Sequence, residues 1–128
     1  MAEKIYNFIF NNPNLPEDLV PYWDFDAPNI PNEPRDVSAA ACTASALYEL
    51  STYIPGKNYK ETADKIMENL GSPAYRAEVG TNGNFILMHS VGSIPHGAEI
   101  DVPLNYADYY FLEGIMRKRD LESNKKLF

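Results

Sequence analysis

The proline-rich stretch from Asn11 to Asp36 constrains this chain more than any other segment. Six of the ten prolines of the protein lie within it, at positions 13, 16, 21, 28, 31 and 34. Proline fixes its own backbone torsion, lacks an N–H donor and restricts the residue before it, so this density excludes helix and central strand. The stretch also carries Val20, Tyr22 and Trp23, which a solvated linker would lack. We therefore expect a long loop that lies on the protein surface.

Helical periodicity on either side of this loop predicts an all-α fold. Apolar residues recur at helical spacing from the start of the chain, at Ile5, Phe8 and Ile9. A Pro-Gly turn at positions 55–56 joins the second and third predicted helices into an antiparallel helical hairpin. After the proline-rich loop, the predicted helices cover Val37–Tyr53, Tyr59–Leu70 and Asn105–Arg119. Asp36 or Ser38 is predicted to cap the first of these three helices.

The remaining local predictions concern caps, loops and the single cysteine. Asn105 is predicted to cap the last helix, with Asp108 three residues on completing a capping box. Residues 85–88 are predicted to be a short strand or a buried apolar run, and residues 89–103 a loop. Cys42 lies in a run of small residues, Ala39–Ala46, and is predicted to be a packed core thiol. The charged tail, residues 120–128, is expected to fray.

Charge and composition exclude several classes of partner. The net charge is −7 and the isoelectric point is near 4.7, without a block of basic residues. Nucleic acid and anionic membranes are therefore not expected to bind. We expect no membrane span, no signal peptide, no metal and no cofactor. The protein is expected to be soluble, and the sequence leaves cytoplasmic and periplasmic locations open.

Two loops carry side chains that suit the binding of a polar ligand. In the first loop, Asp24 could contact a sugar or accept backbone N–H groups in a turn, as we expect for Asp26, and Trp23 could stack on a sugar or bury its ring as an anchor. In the second loop, a set of serines and histidines suits hydrogen bonding to hydroxyl groups or a sulfate. Their spacing and the lack of a cysteine partner argue against zinc. This set comprises His89, Ser90, Ser93 and His96.

Two longer blocks carry a resemblance to a known family. The segment HSVGSIPHGAEIDVPLNYADYYFLEGIMR, His89–Arg117, resembles the C-terminal signature of the unsaturated glucuronyl hydrolases, glycoside hydrolase family 88. The segment Val20–Ser51 resembles the loop and helix that precede this signature. The resemblance implies that residues 1–128 are the C-terminal fragment of one (α/α)6 toroid, built of helical hairpins with long loops on one face. A helix already under way at Met1 fits a piece of a longer protein, and uncovered apolar helix faces would favour self-association.

The resemblance also implies a reaction and a division of roles. Family members hydrate the C4=C5 bond of the terminal unsaturated uronate on oligosaccharides that polysaccharide lyases release, with an aspartic acid as general acid and base. The family's catalytic aspartates lie upstream of this chain, so no catalytic residue is expected here and the fragment alone should be inactive. The substrate-binding residues implied are Trp23, Asp24, His89, Ser90 and Ser93. Some relatives hold sulfate with two serines and a lysine, and Pro95 occupies the lysine position here.

Two other functions remain open at this point. The unsaturated rhamnogalacturonyl hydrolases share the toroid and act on a pectin-derived disaccharide, although the tract EIDVPLNYADYYFLE resembles the glucuronyl family more closely. A non-catalytic helical domain that binds a protein through its aromatic loops is the second alternative. That alternative predicts a stable monomer with a closed, dry core.

Overall fold

A computed structural model describes residues 1–124 of the chain as four helices and one small β-hairpin. The described elements, in chain order, are α1 (Ala2–Phe10), α2 (Val37–Tyr53), α3 (Tyr59–Leu70), a 3-10 turn (Asn82–Asn84), β1 (Ser90–Ser93), β2 (Ala98–Val102) and α4 (Asn105–Glu122). All four predicted helices are confirmed. The predicted tail, residues 120–128, overlaps the end of α4, and residues 125–128 lie outside the described part.

Helices α2 and α4 lie side by side and run in the same direction. The hydroxyl of Ser45 donates to the carboxylate of Glu113, and one turn later Arg117 lies 2.9 Å from Glu49. Arg117 also donates to the carbonyl of Ser45 at 2.9 Å. Helix α3 packs against both of them, and its Asp64 accepts a hydrogen bond from Tyr48 of α2 at 2.8 Å. We call the contacts between α2 and α4 the polar ladder. Together with the bond from Tyr48 to Asp64, it fixes the positions of the three helices along their axes.

The core forms where α2, α3 and α4 meet. Helix α2 contributes alanines that allow close approach of its neighbours, whereas α3 contributes larger side chains. Gly114 of α4 is buried against Met67, whose sulfur would lie 3.0 Å from an added Cβ. The fully buried or nearly buried side chains of these helices include Ala40, Ala41, Ala44, Leu47, Tyr48, Ala63, Ile66, Leu70, Ala107 and Phe111.

The prediction of a loop over residues 89–103 is wrong in part, because β1 and β2 pair there as an antiparallel hairpin. The fold is helical, as predicted, with one small β-hairpin added. Ser90 pairs with Val102 and Val91 pairs with Ile100, so Asp101 is an extra residue in β2. Such a bulge bends the strand and re-aims the side chain of the extra residue. The apolar run before the hairpin contributes a single bridge, between Leu87 and Arg76.

Two further predictions are corrected by the contacts that the side chains make. Leu104, rather than Asn105, is the N-cap residue of α4, and Asp108 does not complete a capping box. The Asp108 carboxylate instead accepts the N–H groups of Ile86 and Leu87, at 2.8 and 2.9 Å. Cys42 is exposed, because its position on α2 faces away from the helix contacts that form the core.

The proline-rich loop is closed at its base. Tyr22 and Arg35 form a bridge, flanked by hydrogen bonds from Trp23 N–H to the Pro34 carbonyl and from Asp36 N–H to the Pro21 carbonyl. The Arg35 guanidinium also lies 4.8 Å from the centre of the Tyr22 ring. Val20 is fully buried, so the loop packs onto the protein surface as expected.

None of the helices in residues 1–124 is long and apolar enough to cross a membrane.

Candidate functional site

The β-hairpin is held against the N-terminus of α2 by the Asp36 carboxylate and by a backbone hydrogen bond. Asp36 is the N-cap of α2 and accepts the N–H of Ser38 at 3.1 Å, as the sequence predicts. The same carboxylate oxygen accepts the N–H of Val91 in β1 at 3.3 Å. The carbonyl of His89 accepts the N–H of Val37 at 3.1 Å. Both links place the hairpin on the polar end of the helix.

His89 and Asp101 form a pair at the bulge of the hairpin. The Nδ1 atom of His89 lies 2.6 Å from an oxygen of Asp101, and the two side chains are 44% and 57% exposed. The φ angles are +68° at His89 and +54° at Asp101, a region that is unfavourable for residues other than glycine. An ionised carboxylate only accepts hydrogen bonds, so Nδ1–H of His89 is the donor to Asp101. This arrangement leaves Nε2 of the imidazole available to a ligand.

The two serines of the hairpin have different environments. Ser93 Oγ lies 2.6 Å from Nδ1 of His96, and both groups are accessible near the turn. Ser90 is fully buried, and its hydroxyl has no hydrogen-bond partner among the described residues. In this structure Ser93 can reach a ligand and Ser90 cannot. Gly92 lies between them, and the Glu99 side chain occupies the space that a Cβ at position 92 would need.

Trp23 and Asp24 lie in the other loop and make local contacts. The indole N–H of Trp23 donates to Glu33 at 2.8 Å, and this hydrogen bond is the main reason why the pKa of Glu33 is lowered. The ring of Trp23 is partly accessible. Asp24 is exposed and accepts the N–H of Asp26 at 2.8 Å, which is a turn contact.

Sequence reasoning missed Tyr106, which lies beside this cluster. Partial burial is the main reason why the pKa of Tyr106 is raised, and the nearby carboxylates of Asp36 and Glu99 raise it further. Its ring is 42% exposed at the first turn of α4. Only the convergence of the N-termini of α2 and α4 on the hairpin brings these residues together, so no sequence spacing could have revealed them.

The face around the hairpin carries no permanent positive charge from its own segment of chain. Residues 77–116 contain no lysine or arginine, while Glu99 and Asp101 are exposed there. Within residues 1–124, no group of three or more His, Cys, Asp or Glu residues is arranged to hold a metal ion. The arrangement suits hydrogen bonding to a polar ligand.

Comparison with known proteins supplies close relatives. An unsaturated glucuronyl hydrolase of Formosa agariphila is 49% identical over 120 residues, which cover 94% of this chain and 30% of the relative. An unsaturated chondroitin disaccharide hydrolase of Streptococcus agalactiae is 31% identical, over 87% of this chain and 28% of the relative. No family model matches the chain.

Solved structures agree with these sequence relatives. The crystal structure of an unsaturated glucuronyl hydrolase specific for heparin matches with a TM-score of 0.92 and 49% identity, over 95% of this chain and 33% of that one. A mutant Streptococcus agalactiae enzyme complexed with dGlcA-GalNAc6S matches with a TM-score of 0.76 and 28% identity, over 91% of this chain and 33% of that one. The resemblance seen in the sequence is confirmed. The chain is a homologue of the unsaturated glucuronyl hydrolases and spans about a third of their length.

Proposed function

We propose that these 128 residues form part of the substrate-binding face of an unsaturated glucuronyl hydrolase. The complete protein would remove the terminal unsaturated uronate from lyase-generated oligosaccharides by hydrating its C4=C5 bond. The observation that carries this proposal is the 49% identity over 95% of the chain, with a TM-score of 0.92, to a heparin-specific enzyme of that type. We further propose that the segment is the C-terminal portion of one (α/α)6 toroid, in which the parallel α2 and α4 belong to one layer.

The binding role falls to accessible polar and aromatic groups on the two loops. We assign hydrogen bonding with sugar hydroxyls to His89 and Ser93, and contacts from the other loop to Trp23 and Asp24. The buried Ser90 fits a supporting role beneath the hairpin rather than a direct contact. The acidic surroundings and the proline at position 95 favour a neutral sugar beside the hairpin over a sulfated one.

The family's general acid has no counterpart in this chain, so hydration requires the remainder of the domain. The uncovered apolar residues of α1 and α4, among them Phe8, Leu112 and Met116, do not fit the closed core expected of a self-contained interaction domain. These exposed apolar residues fit better with a binding face that the remainder of the domain completes.

Loss of ultraviolet absorbance by the C4=C5 bond tests the proposal directly. The chain alone should leave the absorbance of an unsaturated glucuronyl disaccharide unchanged. A chimera that joins it to the other two thirds of the heparin-specific relative should abolish the absorbance. An unsaturated galacturonyl-rhamnose disaccharide is the specificity control and should react much more slowly. Consumption of the substrate by the chain alone would overturn the division of roles, and an inactive but folded chimera would overturn the assigned reaction.

A further inference from the structure

The loop at 76–86 forms an open cleft with a volume of 380 Å³. One arm of the loop supplies Arg76 and Glu78 to the cleft, and the other arm supplies Asn84, Phe85 and Ile86. Arg76 and Asn84 are exposed, whereas Phe85 is half-buried. A cation, an amide and an aromatic ring that converge on one cleft suit a ligand with polar, charged and apolar parts.

Hydrogen bonds hold the two arms of this loop in place. The N–H of Ala77 donates to the carbonyl of Ile86 at 2.9 Å, and the side-chain amide of Asn82 donates to the carbonyl of Leu87 at 3.0 Å. The carboxylate of Asp108 accepts the N–H groups of Ile86 and Leu87 from below. The cleft is therefore shaped by the chain itself, which lowers the ordering cost of binding a ligand.

Arg76 brings an uncompensated positive charge to this cleft. The other three arginines, Arg35, Arg117 and Arg119, each form an ion pair with a carboxylate. Among residues 1–124, the guanidinium of Arg76 has no ion pair and no hydrogen bond. It is also the only lysine or arginine in residues 71–116. A free guanidinium presents N–H donors in a planar fork that matches the oxygens of a sulfate or a carboxylate.

The cleft is a neighbour of the hairpin that carries the candidate site. Arg76 forms a bridge with Leu87, two residues before His89. Tyr75, which directly precedes Arg76, contacts the ring of His89 with ring centres 6.4 Å apart. The positive charge of Arg76 thus lies close to an acidic hairpin that has no lysine or arginine of its own.

We propose that the cleft at residues 76–86 is a subsite for the acidic group of a saccharide, a sulfate ester or a uronate carboxylate, which Arg76 binds. Asn84 donates a hydrogen bond to the same sugar, and Phe85 contacts the apolar face of its ring. A neutral sugar lies beside the hairpin, and the acidic group lies beyond it. The assignment rests on the proposed function for the identity of the ligand, and it extends the substrate class to oligosaccharides with an acidic group in the part that leaves.

Glu78 allows a test of opposite sign. Its carboxylate is exposed and lines the same cleft, so it repels an anion that binds to Arg76. Removal of the charge of Arg76 should therefore weaken binding, whereas removal of the charge of Glu78 should strengthen it. A structural role of either side chain would not produce these opposite effects on affinity.

The test titrates the isotope-labelled 128-residue chain with three sugars and follows the backbone amide signals by nuclear magnetic resonance. The sugars are N-acetylglucosamine 6-sulfate, glucuronate and uncharged N-acetylglucosamine. At least one acidic sugar should shift the signals of residues 76–86 saturably, with a dissociation constant on the order of 1 mM, and the uncharged sugar should bind at least about tenfold more weakly. The tighter of the two acidic sugars identifies the acidic group that the cleft takes.

Arg76→Gln should weaken binding of that sugar at least about fivefold, and Arg76→Lys should retain part of the affinity. Glu78→Gln should strengthen binding about twofold or more. Arg119→Gln removes an exposed arginine at the far end of α4 and is the matched control, with a change of less than about twofold. Added salt should weaken binding, because the cleft is open to solvent.

Four outcomes would overturn the inference. They are the absence of saturable shifts, shifts confined to the hairpin, equal affinity for the uncharged sugar, and an Arg76→Gln variant that binds as the control does. Inorganic sulfate serves as a further arm of the titration. If it binds as tightly as the sulfated sugar, the cleft recognises a free anion and the assignment to a saccharide is wrong.

Binding in the cleft is measured without catalysis, so it is independent of the absorbance test. A chain that binds an acidic sugar through Arg76, in a protein whose chimera leaves the disaccharide unchanged, would keep the cleft and contradict the proposed function. A chimera that hydrates the disaccharide while the cleft does not respond to any acidic sugar would do the reverse.

Discussion

The hydroxyl of Tyr75 donates a hydrogen bond to the carboxylate of Asp18, 57 positions earlier in the chain. Asp18 also accepts from Arg35 at 3.0 Å and from the N–H of Val20 at 3.1 Å, while its carbonyl accepts from Asn69 at 2.6 Å. One residue thereby ties the proline-rich loop to α3 and to the segment that leads into the hairpin. The ring of Tyr75 in turn contacts His89, with ring centres 6.4 Å apart.

Tyr75→Phe should destabilise the protein by about 1–2 kcal/mol, because a nearly buried hydrogen bond to a carboxylate is lost while Arg35 still pairs with Asp18. Denaturant unfolding followed by circular dichroism measures the change. Tyr109→Phe, on an exposed ring whose hydroxyl is 3.4 Å from Glu113, is the control and should have little effect. Equal losses in the two variants would contradict the role given to Tyr75.

Stability should fall in acid through Asp18. Burial opposes ionisation, but the hydrogen bonds from Tyr75, Val20 and Arg35 outweigh it and hold the pKa of Asp18 below its ordinary value of 3.8. A lowered pKa in the folded state stabilises the protein above pH 3.8, and this stability is lost as the pH falls through the folded value. The free energy of unfolding, measured between pH 6 and pH 2, should therefore depend less on pH in Asp18→Asn. An unchanged slope in that variant would exclude this account.

Asp108→Ala should destabilise the protein by about 2–4 kcal/mol, since it leaves the N–H groups of Ile86 and Leu87 without partners. Hydrogen exchange should accelerate at those two amides more than at amides within α2. Asp26→Ala, at an exposed loop position, should change stability by less than about 0.5 kcal/mol. A capping role for Asp108 would instead predict faster exchange at the first turn of α4.

His89→Ala, made in the chimera, should raise KM for the unsaturated disaccharide by about tenfold, with a smaller change in kcat, because it removes a hydrogen bond to the bound sugar. Asp101→Asn should give a smaller increase in KM, since it disturbs the orientation of His89 without removing it. Asp120→Asn, at the far end of α4, is the control. If KM is unchanged in His89→Ala, His89 does not contact the substrate.

The helices were predictable because periodicity and caps act locally. The boundaries of α2 and α3 follow from Asp36, the Pro-Gly turn and the apolar spacing. The hairpin was not predictable, because β2 is almost entirely exposed and therefore lacks the apolar alternation of a half-buried strand. Asp108 has the spacing of a capping box, but the two N–H groups of the neighbouring loop compete successfully for its carboxylate.

For the candidate site, the sequence identified the polar residues within each loop but not how the loops come together. The serines and histidines of residues 89–96 stood out by residue type, but the pairing of His89 with Asp101 depends on a bulge that shifts one residue out of register. The burial of Ser90 and the position of Tyr106 depend on the packing of the hairpin against α2 and α4. Residue type identifies such groups, whereas tertiary packing decides which of them a ligand can reach.

The ladder between α2 and α4 limits which length changes the chain can accept. Ser45 and Glu49 are one turn apart, and so are their partners Glu113 and Arg117. Inserting one residue in either helix rotates everything beyond it by about 100°, which would separate the partners and turn apolar side chains outward. Insertions in the loop at 76–86, by contrast, leave the ladder intact. Length variation among natural homologues should therefore concentrate in that loop and be absent from the two helices.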